Sequence, residues 1–269
     1  MNRRERPIGV FDSGIGGLTV VSALRRFLPN ERIHYLGDTA RVPYGGKSAA
    51  TVERYSLEIT AMLLEEDCKA IVVACNTASA LALTTLEERV PVPVIGVIRP
   101  GAEAAVAATR NRHIGVIGTR ATIRSGAYER AICALDPEVE VTARACPLFV
   151  PLIEEGWLEG ETTDQIVRQY LQPLVEDGVD TLVLGCTHYP LLRAAIGKFL
   201  GESVRLVDSA ENCARAVSCL LEKDDLRAGP GSGGELGIAL TDPPDVFLEV
   251  ARRALQLELG EVELRAVPR

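Results

Sequence analysis

Two short stretches of this sequence could do acid–base chemistry: "VVACNTASA" at residues 72–80 and "VLGCTHYPL" at 183–191. Each is an apolar run that ends in a cysteine, followed by small hydroxyl or amide side chains and then by residues of helical pattern. Cys75 precedes Asn76 and Thr77, and Cys186 precedes Thr187 and His188. A free thiol titrates at about 8.5, and a helix N-terminus or an adjacent imidazolium lowers that value. Raised thiolate content is therefore expected at Cys75 or Cys186. If the corners face each other across one cleft, a thiolate on one side of a carbon removes a proton and a thiol on the other side returns one. That chemistry inverts a stereocentre with neither metal nor cofactor.

Further polar clusters end other apolar runs: Asp12-Ser13, the segment from Asp38 to Gly45, and Thr119 to Thr122. Open parallel sheets bind ligands beyond the carboxyl ends of their strands, and the backbone N–H groups that open the following helices favour an anion there. A carboxylate or phosphate substrate is expected.

The elements that must position these residues alternate. "PIGVFDSG", "RIHYLGD", "KAIVVAC" and "VPVIGVI" read as strands, and "GLTVVSALRRFLP", "SLEITAMLLEED" and "ASALALTTLEERV" as the helices between them. The pattern restarts at "HIGVIGTRATIRSGAYERAI" and continues through "VEVTARACP", a long helix with N-cap candidates Thr162 and Thr163, and "DTLVLGC". Ile8 and Ile114 open matching I-G-V runs 106 residues apart, and Cys75 and Cys186 lie 111 apart. Two offsets this close suggest an internal duplication of a parallel α/β unit. The glycine-rich stretch 227–237 reads as a flexible surface loop, and the tail from Asp242 as one helix and a closing strand.

Composition narrows the class. The chain has 269 residues, 47% apolar and 25% charged, with a net charge of −8. No dense Lys/Arg cluster predicts nucleic-acid binding, and no apolar run is long enough for a membrane span. The N-terminus does not read as a signal peptide, so a cytoplasmic protein is expected. Seven cysteines, an odd number with no C-x-x-C, argue against a disulfide framework. Cys186 and His188 have no second close Cys/His pair to complete a zinc site, so no metal is expected. Cys68, Cys133, Cys146, Cys213 and Cys219 read as packing residues. A dithiol redox protein would leave the paired threonines and "DSGIGG" unexplained. A nucleotide-binding module fails because Gly14, Gly16 and Gly17 have the wrong spacing for G-x-G-x-x-G.

The stretches "GVFDSGIGGLTV", "YLGDTARVPYG", "VVACNTASA", "GVIGTRATI", "CPLFVPLIEEG", "LVLGCTHYPLL" and "LVDSA" closely resemble glutamate racemase, the cofactor-independent two-cysteine type. The resemblance implies two pseudo-symmetric, doubly wound α/β domains with mainly parallel sheets and the active site in the cleft between them. We expect residues 1–97 plus 210–269 to form the first domain and 98–209 the second. It implies Cys75 and Cys186 as the two acid/base residues, assisted by Asp12, Glu154 and His188. Substrate-binding groups are implied at Asp12, Ser13, Tyr44, Gly45, Asn76, Thr77, Thr187 and His188. The implied partners are L-glutamate and D-glutamate, with no cofactor. The implied assembly is a homodimer that supplies D-glutamate for bacterial peptidoglycan. A related two-cysteine racemase acting on aspartate or another amino acid is the alternative.

Overall fold

The continuous apolar runs become strands covered on both faces. Each Val, Leu or Ile that is fully buried in this way contributes roughly 1.5–3 kcal/mol, which favours unbroken apolar runs at these positions over alternation. The computed structural model describes residues 2–243, 248–249, 252, 255 and 260–267.

In chain order the elements are β1 (Ile8–Asp12), α1 (Leu18–Phe27), β2 (Ile33–Gly37), α2 (Ala49–Leu64), β3 (Ala70–Val73), α3 (Asn76–Leu81), α4 (Leu83–Arg89) and β4 (Val94–Gly96). After these come α5 (Ile98–Ala108), β5 (His113–Gly118), α6 (Arg120–Arg124), α7 (Ala127–Leu135), β6 (Glu140–Ala145), α8 (Phe149–Glu154), α9 (Glu161–Glu176) and β7 (Thr181–Gly185). The chain continues through α10 (Arg193–Leu200), β8 (Arg205–Asp208), α11 (Ser209–Lys223), β9 (Leu236–Leu240) and β10 (Val262–Leu264).

These strands form two sheets, ordered β10-β9-β2-β1-β3-β4 and β6-β5-β7-β8. Every pairing is parallel. The order β2-β1-β3-β4 thus recurs as β6-β5-β7-β8. The register recurs as well, since Ile8 faces Ala70 and Ile114 faces Thr181. Cys75 follows β3 and Cys186 follows β7, the equivalent strands of the two sheets. The fold is two doubly wound α/β domains, and the duplication read from the two offsets corresponds to this repeated strand order.

Successive residues of β1 feed opposite faces of the first sheet. Val10 joins a core with α1, while Phe11 joins another with Val52 and Ile59 of α2. The first of these cores runs on through Cys213 and Val217 of α11 to Leu182 and Leu184 of the second sheet, so α11 joins the two domains. A third core, with Val116, Ile132 and Val183, covers the other face of the second sheet.

Several local expectations are corrected. The long helix α9 starts from Gly160, not from Thr162 or Thr163, and Thr163 Oγ1 instead donates to the Trp157 carbonyl at 3.0 Å. Helix formation after Thr77 breaks once, at Ala82, giving α3 and α4. The glycine-rich stretch is pinned at its start, where buried Ala228 donates its N–H to Glu31 Oε1 at 2.7 Å, and Leu236 and Gly237 belong to β9. The closing strand is β10; the predicted tail helix lies largely outside the described residues.

A buried ion pair clips the edge of the first domain. Lys69 Nζ lies 2.5 Å from Glu31 Oε2 and donates to the Arg4 and Leu226 carbonyls. Removing one partner leaves an uncompensated buried charge, which costs roughly 3–5 kcal/mol, whereas replacing both with apolar residues is often neutral. Lys69→Ala is therefore expected to lower stability by that amount in urea unfolding, and Lys69→Met with Glu31→Leu to recover most of it. A loss below about 1 kcal/mol, as for an exposed pair, would contradict this account.

Candidate active site

The corner after β1 is a tight turn held by Asp12. Fully buried, its Oδ2 accepts the N–H groups of Gly14 and Gly17 at 3.2 and 3.1 Å. The Tyr35 hydroxyl donates to the Gly14 carbonyl at 2.7 Å and closes the turn from the neighbouring strand. Gly16 sits at the tip, where a Cβ would meet His188 Nδ1 at 2.4 Å and Thr187 Oγ1 at 2.6 Å. Only glycine lets the first domain approach the second this closely.

Cys75 caps α3, and its Sγ accepts the Ala78 N–H at 3.5 Å and donates to Ser13 Oγ at 3.6 Å. Cys186 differs. It leads into a 3₁₀ turn, Tyr189–Leu192, with Pro190 in its first turn, before α10 begins. Cys186 has His188 as its polar neighbour instead, with Nδ1 at 3.9 Å from Sγ. The expectation of two cysteines at two α-helix N-termini holds for Cys75 alone.

Behind Cys186 runs a chain of polar groups from three elements. His188 Nε2 lies 3.4 Å from Glu154 Oε1 at the end of α8, and His188 Nδ1 lies 3.4 Å from Thr187 Oγ1. Thr187 Oγ1 donates across the domain boundary to Asp12 Oδ1 at 3.4 Å. Burial pulls the His188 pKa down. Hydrogen bonds to Cys186 and Glu154, with the charges of Cys186 and Asp12, outweigh it and hold the imidazole at about 10. His188 is thus a cation at neutral pH, both of its ring nitrogens donors.

The Cys75 side is held the other way. Burial, with the Asp12 charge adding to it, pushes the Cys75 thiol up to about 12 against the opposing Ala78 N–H and Ser13. This corrects the expectation of a lowered pKa at Cys75. One backbone donor at the helix end does not compensate for removal from water. Asp12 is itself pushed upward by burial, and the His188 charge and the Gly17 and Gly14 N–H groups resist the shift.

Ser13, Tyr44, Gly45, Cys75, Asn76, Thr77, Cys186, Thr187 and His188 line one cavity between the domains, together with Thr119, Val42, Pro43 and Val150. Asp12 and Glu154 stand behind it rather than on its wall. The cavity measures about 30 Å³. That volume is water-sized. Tyr44 presents its ring and backbone, for its hydroxyl is taken by the buried carboxylate of Asp38. Asp38 also accepts from Arg41 Nε at 2.7 Å and Thr241 Oγ1 at 3.0 Å, so it anchors the loop that carries Tyr44 and Gly45.

Thr119 joins them on the wall, from the Thr119 to Thr122 cluster that the sequence marks at a strand end without giving it a role. Thr119 and Thr122, at the start of α6, form a triangle of hydroxyls with Thr77 from the other domain, at 3.0, 3.1 and 3.0 Å. Their signal was their place after β5, the strand equivalent to β1. Gly45 is pressed against Thr119, where a Cβ would stand 2.7 Å from the threonine Cβ. Thr77 and Thr119 open this cluster to the cavity with Thr122 buried behind them, and uncharged hydroxyls there suit a carboxylate acceptor.

Residues 18–217 match the Asp/Glu/Hydantoin racemase family. The chain belongs to that family. A curated glutamate racemase of Geobacter metallireducens is 54% identical over 257 residues, covering 96% of this chain and 95% of the relative. A glutamate racemase isoform of Bacillus anthracis superposes with a TM-score of 0.92 at 42% identity, covering 97% of this chain and 98% of that one. A glutamate racemase of Francisella tularensis, solved in complex with D-glutamate, superposes with a TM-score of 0.91 at 39% identity and 98% coverage of both chains. In this family member, the two cysteine corners face one cleft and differ in electrostatics: a neutral thiol at Cys75, and an imidazolium beside Cys186.

Proposed function

We propose that this protein is a glutamate racemase that interconverts L- and D-glutamate through Cys75 and Cys186. The observation that carries the reading is that both sulfurs line one cavity, each from the equivalent strand of a different domain. One thiolate takes the α-proton, and the C–H bonding pair stays on the substrate carbon. The opposite thiol then delivers its proton to the other face and becomes the thiolate. Cys75 serves the D-enantiomer and Cys186 the L-enantiomer. The hydroxyls of Thr77 and Thr119, held from behind by Thr122, with Ser13, Asn76, Thr187 and the Gly45 backbone, bind and orient the substrate. His188, backed by Asp12 and Glu154, supplies positive charge beside Cys186. Proton removal and return need only the two sulfurs, so the reading assigns no cofactor.

We assign residues 1–97 and 210–269 to the first domain and 98–209 to the second. The reading also places the protein in the cytoplasm as a homodimer that provides D-glutamate for peptidoglycan. No helix among the described residues is long and apolar enough to cross a membrane.

Aspartate is the competing substrate, one methylene shorter than glutamate. A single methylene changes specificity by roughly 10–200-fold. L-glutamate, D-glutamate, L-aspartate and D-aspartate assayed side by side by circular dichroism should therefore show kcat/KM for both glutamate enantiomers at least tenfold above either aspartate. Equal or faster turnover of aspartate would overturn the assignment.

A further inference from the structure

Asn76, next to Cys75, is buried, and its Nδ2 has no hydrogen-bond partner. A buried amide donor left open is costly unless a ligand takes it. The orientation of this amide is fixed from the other domain. The Tyr128 hydroxyl, from α7, donates to Asn76 Oδ1 at 2.7 Å. With Oδ1 occupied, Nδ2 is the end of the amide left for the cavity that Asn76 lines.

Tyr128 is also placed to register one corner against the other. It is fully buried, and its ring lies in a slot lined by two glycines. A Cβ on Gly185, the residue before Cys186, would meet the ring at 3.1 Å, and one on Gly101 of α5 at 3.4 Å. The ring therefore sits against the Cys186 corner while the hydroxyl holds the Cys75 corner. Sequence gave no sign of this, because Tyr128 occupies an ordinary core-facing position of a helix.

We propose that Tyr128 is a positioning residue: its hydroxyl locks the Asn76 amide so that Nδ2 is presented to the glutamate carboxylate, and it ties the Cys75 corner to the Cys186 corner. The proposal rests on the racemase reading above. The test is a cycle of wild type, Tyr128→Phe, Asn76→Ala and the double variant, with kcat and KM measured for both enantiomers and a thermal melt for each protein. Phenylalanine keeps the ring in its slot, so the melt should stay near wild type. KM should rise roughly tenfold for both enantiomers, the worth of one hydrogen bond to a charged group, with kcat held within about twofold. Asn76→Ala should raise KM at least as far, and the double variant should match Asn76→Ala alone. Wild-type KM in Tyr128→Phe or in Asn76→Ala overturns the proposal. So does additivity in the double variant, or a loss confined to the melting temperature or to kcat. Absence of glutamate turnover by the wild-type protein overturns the racemase reading itself and this proposal with it.

Discussion

Cys75→Ala and Cys186→Ala are each expected to abolish racemisation while leaving the fold intact. General acid–base groups contribute roughly 10²–10⁴-fold each, and racemisation needs both, so the loss of either thiol should fall at or beyond the upper end of that range. The fold should survive because, among the described residues, the hydrogen bonds of Cys75 Sγ go to the Ala78 N–H and Ser13 Oγ and that of Cys186 Sγ to His188. Serine in either place leaves an acid far weaker than a thiol, so its rate should also fall by orders of magnitude. Each alanine variant keeps one sulfur, which can still exchange the α-proton of its own enantiomer with solvent. Cys75→Ala should then incorporate deuterium into L-glutamate and little into D-glutamate, and Cys186→Ala the reverse. Equal loss with both enantiomers in both variants would remove the assignment of one base to each face. Wild-type racemisation by either variant would end the two-thiol mechanism.

Much of this arrangement was legible in the sequence, for a physical reason. Strands buried on both faces must be continuously apolar, so β1, β3, β5 and β7 announce themselves, and the polar residues that end them mark the cleft. The offsets of 106 and 111 residues follow from equivalent strands in a repeated order. Other features were not legible, because they arise from groups distant in sequence. Thr77, Thr119 and Thr122 converge only once two domains meet. Tyr128 looks like core until its hydroxyl is seen on Asn76, 52 residues away. The rise in the Cys75 pKa is not legible either, because helix ends can be read from sequence and desolvation cannot.

The same balance of burial and charge decides what Asp12 does. Asp12→Asn is expected to lower kcat roughly 10²-fold, the usual loss when one preorganised electrostatic group is removed, with little change in fold. Asparagine keeps an oxygen for the Gly14 and Gly17 N–H groups. Its amide N–H₂ then faces Thr187 Oγ1, which turns from donor to acceptor. What disappears is the negative charge that helps hold His188 protonated. The His188 midpoint should fall from about 10, and the alkaline limb of the rate profile should move to lower pH with it. Glu154→Gln should shift the midpoint at least as far, because the hydrogen bond that the imidazolium donates to Glu154 supports it more strongly than the Asp12 charge. Stability carries the same sign. A histidine raised in the folded chain stabilises it fully below the free value of about 6.5, and the stabilisation is lost as pH climbs through about 10. In Asp12→Asn that loss should be complete at a lower pH. Histidine resonances followed by NMR across pH 5 to 11, alongside urea midpoints over roughly the same range, check both claims. A His188 midpoint that is near 6.5 in the wild type, or that does not move in either variant, would show that these carboxylates do not set the charge beside Cys186.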